Sequence, residues 1–130
     1  MVVIDASVLL TALVSSDRDG SHARRAIVRH QPLHAPQLVY VEVLSAIRGI
    51  NLAGRISDAD AEEAVTDLAA YPITVHPHPP LLPGAFHLRH RVTAYDAMYI
   101  VLAATLDVAL LAADEHLGRA GDLPCEVRLV

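Results

Sequence analysis

Four acidic residues stand where an acid is costly to place. Asp5 and Asp114 each follow a short apolar run, Val2 to Ile4 in one case and Val108 to Ala113 in the other. Glu42 and Asp96 lie in segments of helical period, where residues three and four positions away share a face. Those neighbours are Leu38, Val39, Ser45 and Ala46 for Glu42, and Val92, Thr93, Tyr99 and Ile100 for Asp96. Neither face offers a basic partner. A carboxylate set among apolar groups without one is destabilising, or takes up a proton. Four such groups drawn into one pocket repel one another unless a cation neutralises them. An all-oxygen donor set favours a hard divalent ion, Mg²⁺ or Mn²⁺, and such an ion can activate water for phosphodiester hydrolysis. Taken one at a time, Asp5 and Asp114 read equally well as helix N-caps, and Glu42 and Asp96 as acids on solvated helix faces.

The elements that would carry these residues follow from periodicity and punctuation. Val2 to Ile4 reads as a strand feeding a helix from Ser7 onward. Gly20 and Ser21 are expected to separate that helix from a basic helical stretch, His22 to His30, closed by Pro32. Leu33 to Ala35 suits a brief strand and Gln37 to Ile50 a helix ending at Asn51 and Gly54. Ser57 with Asp60 approximates a capping box at the start of a helix that ends near Tyr71-Pro72. Ile73 to Val75 suits a third strand. The proline-rich run from His76 to Pro83-Gly84 is expected to be loop leading to another helix. Ala94 to Leu106 is a strongly apolar helix, Val108 to Ala113 a strand buried on both faces, Glu115 to Ala120 a short helix and Glu126 to Val130 a last strand. Alternating strands and helices predict a three-layer α/β/α domain with a mainly parallel central sheet. In such sheets ligands sit beyond the C-terminal ends of strands, so Asp5 and Asp114 can face one crevice.

Composition narrows the classes. The 130 residues suit one domain, residues 1–130. No uncharged apolar stretch is long enough for a membrane span, and the N-terminus lacks the basic and small-residue marks of a secretory signal. Both point to the cytoplasm. The single cysteine, Cys125, cannot make an internal disulfide. A net charge of −5 argues against a general nucleic-acid coat. All ten basic residues are arginine, which suits phosphate contact. The absence of lysine excludes a receiver domain and a haloacid-dehalogenase-type phosphatase, both of which need one.

Four segments together carry a likeness: Val3-Ile4-Asp5-Ala6-Ser7-Val8-Leu9, Tyr40-Val41-Glu42-Val43, Tyr95-Asp96-Ala97-Met98-Tyr99 and Leu111-Ala112-Ala113-Asp114-Glu115-His116-Leu117. In order and spacing they resemble the four acidic motifs of the PIN domain, particularly the VapC-type toxins of bacterial type II toxin–antitoxin pairs. The resemblance implies a metal-dependent endoribonuclease in which Asp5, Glu42, Asp96 and Asp114 bind Mg²⁺ or Mn²⁺. It implies a hydroxyl at Ser7 beside the first acid, an RNA substrate, a homodimer and a cognate antitoxin. The chain departs from many relatives at Ala112, where Thr or Ser is usual.

Two other readings stay open at this level. Eight histidines could serve a metal-free ribonuclease, with His87, Arg89, His90 and Arg91 clustered before Asp96. Arg89 and Arg91 are expected to touch RNA phosphates. Arg24, Arg25 and Arg29 form a second basic patch that could meet RNA or a partner. Alternatively, a PIN-like fold without catalysis could serve only to bind RNA or a protein. The 53% hydrophobic content predicts apolar surface that a dimer would cover.

Overall fold

The computed structural model describes all 130 residues. Five short strands form one parallel sheet: β1 (Val2–Ile4), β2 (Leu33–Pro36), β3 (Ile73–His76), β4 (Leu110–Ala112) and β5 (Val127–Leu129). Seven helices connect them: α1 (Ala6–Val14), α2 (Arg18–Arg29), α3 (Leu38–Leu52), α4 (Asp58–Ala70), α5 (Leu82–His87), α6 (Ala94–Leu106) and α7 (Glu115–Arg119). Helices α1 to α4 pack on one another in one layer, while α6, with α5 on its outer side, packs against β1, β2 and β4. The expected α/β/α layering is present, with a sheet that is wholly parallel.

Strand order is β3-β2-β1-β4-β5. The chain therefore steps outward from β1 to β3, then returns to the other side of β1 for β4 and β5. That reversal opens a crevice between β1 and β4 at their C-terminal ends, the place where open α/β sheets bind ligands. β1 is buried along its whole length, as is β4, which explains why both read as continuous apolar runs rather than alternating ones. α6 is almost as deeply set, with Ala97, Met98, Tyr99, Ile100, Leu102 and Ala103 all buried.

Three sequence readings are corrected by local chemistry. Gly20 and Ser21 do not separate two helices; they lie in the first turns of α2, which starts at Arg18 because Asp17 accepts the Gly20 N–H at 3.1 Å. Glycine is needed there for closeness, since a Cβ at Gly20 would lie 2.0 Å from the Ser15 carbonyl oxygen. The proline-rich run is not all loop. Pro79–Leu81 forms a 3₁₀ turn that leads straight into α5, with Pro83 in the first turn, where proline is tolerated. The strand expected over Val108 to Ala113 is shorter, because Asp107 ends α6 in the left-handed region (φ 54°) and the Val108 N–H is tied back to the Ala103 carbonyl at 3.0 Å. The Ser57 cap holds as read, accepting the Asp60 N–H at 3.1 Å. No helix is long and apolar enough to cross a membrane.

Candidate active site

Asp5 follows β1 directly and Asp114 lies two residues beyond β4, its neighbour in the sheet. Both act as N-caps. Asp5 accepts the Ser7 N–H at 3.2 Å at the head of α1, and Asp114 accepts the His116 N–H at 2.8 Å at the head of α7. The two loops are stitched together. Asp5 donates its backbone N–H to the Leu111 carbonyl at 2.9 Å. Ser7 Oγ donates to the Asp5 carboxylate and accepts the Ala113 N–H at 3.2 Å. One hydroxyl thus ties the first acid to the segment that bears the last. Ala112, two residues before the last acid, is fully buried and brings no hydroxyl to the site.

Asp5 is the only charged side chain that is buried, at 7% exposure. Burial raises its pKa; the Ser7 and Ala6 hydrogen bonds pull it back, and the charge of Asp114 raises it further. Glu42 and Asp96 are half-buried, less deep than their apolar neighbours suggested. Glu42 is raised by burial and by the charges of Asp5 and Asp96, against a hydrogen bond from Tyr99. Asp96 is raised by burial and then by Asp5; the bond to Thr93 opposes this, Asp114 adds to it, and His116 lowers it slightly. Asp114 is exposed. Glu42 and Asp96 thus each sit in the field of two of the other acids and Asp5 in that of Asp114, so the four predicted acids lie close enough together to repel one another. Neither ion pair of the chain, Arg119–Glu115 or Arg128–Glu126, involves any of them.

The helices aim the second pair. α6 starts at Thr93, whose Oγ1 accepts the Asp96 N–H at 3.2 Å, so Asp96 occupies the first turn, where an acid is also favoured by the helix dipole. Tyr99, one turn on and fully buried, donates its hydroxyl to Glu42 Oε1 at 2.8 Å. Burial and then the Glu42 charge push the phenol pKa far up, so Tyr99 stays a neutral donor. Tyr99 had looked like an apolar neighbour of Asp96; its polar tip serves an acid on another helix. Thr93 and His116 were likewise not singled out for the site. The Thr93-x-x-Asp96 spacing carried a readable capping signal, whereas nothing local linked Tyr99 to Glu42.

The carboxylates stand apart: no three acidic, histidine or cysteine side chains are gathered tightly enough to form a ready-made metal cage. The donor chemistry nonetheless suits a hydrated Mg²⁺, which keeps several waters and takes only one or two carboxylates directly. The carboxylate pKa values are raised first by burial and then by mutual repulsion, both of which a bound cation would offset.

The basic residues divide. Arg24 is structural, since its guanidinium donates to the Ala12 and Ser15 carbonyls at 3.0 and 2.8 Å and so closes the C-terminus of α1. Arg25 and Arg29 are exposed. Arg89 lies over the Phe86 ring, 4.4 Å from its centroid. It borders an apolar groove of about 630 Å³ that also includes Leu38, Leu82 and Tyr95. Arg91 donates to the Asp122 carbonyl. Both stand on the turn that precedes Thr93 and Asp96.

The PIN domain family profile matches residues 2–123. The chain is 37% identical over 129 residues to ribonuclease VapC1 of Mycobacterium tuberculosis, covering 98% of this chain and 96% of the relative. Among solved structures it is similar to M. tuberculosis VapC20, described as a sarcin-ricin-loop-cleaving toxin, with a TM-score of 0.71, 16% identity, and coverage of 93% of this chain and 95% of that one. A toxin–antitoxin complex from Klebsiella pneumoniae superposes with a TM-score of 0.67 at 16% identity, covering 97% and 99% of the two chains. The profile match and the near full-length identity carry the same conclusion as the crevice: the chain belongs to the PIN-domain family and, within it, to the VapC proteins.

Proposed function

We propose that this chain is a metal-dependent endoribonuclease, the toxin of a toxin–antitoxin pair, working in the cytoplasm. The observation that carries the reading is the crevice at the β1/β4 reversal. There a buried Asp5 and three further acids repel one another, and no ion pair engages any of them. Asp5, Glu42, Asp96 and Asp114 would hold Mg²⁺ or Mn²⁺, which when bound lowers the pKa of a water and neutralises charge developing on the phosphate. The chain's own residues do the rest. Ser7 orients Asp5 and fixes the Asp114 loop, Tyr99 holds one oxygen of Glu42, and Thr93 sets the start of α6. Arg89 and Arg91, on the turn beside Asp96, are suited to RNA phosphates on the rim.

The names of the relatives support the toxin reading, and an acidic crevice would readily accept an arginine from an antitoxin. Exposed Leu82, Phe86 and Tyr95 along the apolar groove, with Val41 and Leu44 on α3, support a homodimer. Light scattering at micromolar concentration should give twice the 14.0 kDa chain mass.

The test is a paired measurement on Asp96→Asn. A metal ligand whose charge is disfavoured in the metal-free fold predicts that the melting midpoint in EDTA holds or rises, while RNA cleavage in Mg²⁺ collapses. A structural acid predicts a lower midpoint with cleavage near wild type, and that result would falsify the assignment.

A further inference from the structure

Helix α3 begins without a cap of its own. Gln37, at its N-cap position, makes no side-chain hydrogen bond to the helix, although the first N–H groups of any helix need acceptors. They are supplied from 40 residues away by the segment that follows β3. The His76 carbonyl accepts the Gln37 N–H at 3.0 Å, and His78 Nε2 accepts the Leu38 N–H at 2.9 Å. To accept there the imidazole must be neutral with its proton on Nδ1. The segment is itself held, because His76 Nε2 lies 2.9 Å from His34 Nδ1 on β2.

We propose that His78 is a positioning residue for Glu42, an inference that rests on the reading of Glu42 as part of the cleavage site. Glu42 stands four residues after Leu38, one turn along the same face. Helical side chains lean toward the N-terminus of their helix, so the Glu42 carboxylate lies over the turn that His78 secures. Tyr99 grips that carboxylate from α6, and His78 fixes the backbone beneath it. Loosening the first turn of α3 would leave Glu42 tethered at its tip and free at its base.

Two substitutions pull in opposite directions. His78→Phe keeps a ring against Leu38 and Leu82, with which His78 lines the apolar groove, but removes the acceptor. His78→Gln loses the ring and offers an amide oxygen in its place. Positioning through the hydrogen bond predicts that His78→Phe lowers kcat about tenfold at a temperature where it is fully folded, as small misplacements of catalytic groups do. KM for RNA should stay close to wild type, and His78→Gln should restore most of the rate. An independent readout is the Tyr99 ¹³Cζ resonance, assigned with Tyr99→Phe, which reports the bond to Glu42. It should move in His78→Phe and return in His78→Gln. If His78→Phe does not fold, His78→Ala takes its place against the same Gln variant. A wild-type rate and unmoved resonance in the variant lacking an acceptor, or a Gln variant as impaired as the Phe variant, overturns the proposal. If even the wild type cleaves no RNA, the ribonuclease reading fails, while the resonance still decides whether His78 positions Glu42.

Discussion

Asp5 and Asp114 occupy matching places. Each follows one of two adjacent parallel strands, each opens a helix, and each accepts the N–H two residues on. They differ in depth: Asp5 is 7% exposed, beneath the joined loops, whereas Asp114 stands at the surface. Helix capping, the ordinary explanation of an acid at such a point, is true of both and does not compete with a role in chemistry. The cap fixes where the carboxylate sits; depth decides what its charge costs. At Asp5 that cost is borne without any basic partner, and a cation would offset it. At Asp114 water already does so, and the carboxylate is free to contribute more loosely.

The comparison is broken most directly at Asp5. Asparagine caps as well as aspartate, so Asp5→Asn should leave α1 in place while removing the deepest anionic donor. RNA cleavage should fall by about a thousandfold, the loss of about 4 kcal/mol of transition-state stabilisation. Asp114→Asn, made at the matching cap, should cost only about tenfold. Steady-state rates on one RNA in saturating Mg²⁺ decide between them. Equal losses would mean that depth does not rank these two acids.

Much of this arrangement could be read from the chain alone, and the reasons are local. Val2 to Ile4 and Leu110 to Ala112 announce buried parallel strands by their unbroken apolar character, and the acids that follow stand out against it. Glu42 and Asp96 were legible as acids on apolar faces. What could not be read depended on distant partners. The Tyr99 to Glu42 bond spans 57 residues and the His78 to Leu38 bond 40, and no periodicity encodes either. The start of α2 was missed because glycine usually signals a break, whereas Gly20 is there to let α2 approach the Ser15 carbonyl. Arg24 looked like one of three surface arginines, because the carbonyls it closes belong to the preceding helix.

A weaker effect separates the buried acids from the rest by pH. Asp5, Glu42 and Asp96 have raised pKa values in the fold. Between the ordinary carboxylate range and those raised values the folded state holds more protons than the unfolded one, so stability falls as pH rises through that window. His34 works in the opposite sense. Burial, then the His76 charge, lowers its pKa, so the stability linked to its neutral form is present above the ordinary imidazole range and is lost as pH falls through the lowered value. Melting in EDTA should therefore weaken toward both ends. Asp5→Asn should raise the midpoint above the carboxylate window and leave the acid side unchanged. A midpoint that rises uniformly at every pH would show that the substitution acts through something other than the Asp5 charge.

The smallest expected effect isolates the cap at the exposed site. α7 has five residues and one buried side chain, Leu117, so little besides its cap holds its first turn. Asp114→Ala removes the acceptor for the His116 N–H and should cost about 0.5–1 kcal/mol, while Asp114→Asn retains an acceptor and should cost far less. So small and local a loss hardly moves a global melt. It opens the helix itself, and the amides of His116 to Arg119 should exchange with solvent about two to five times faster in the alanine variant. If alanine and asparagine accelerate exchange equally, the charge of Asp114 holds α7 through the helix dipole and not through the hydrogen bond. If neither does, α7 is held by Leu117 and by the contact of Gly118 with Leu129 on β5. The cap then fixes the carboxylate rather than the helix, and the activity lost by Asp114→Ala beyond that lost by Asp114→Asn measures how much this placement matters.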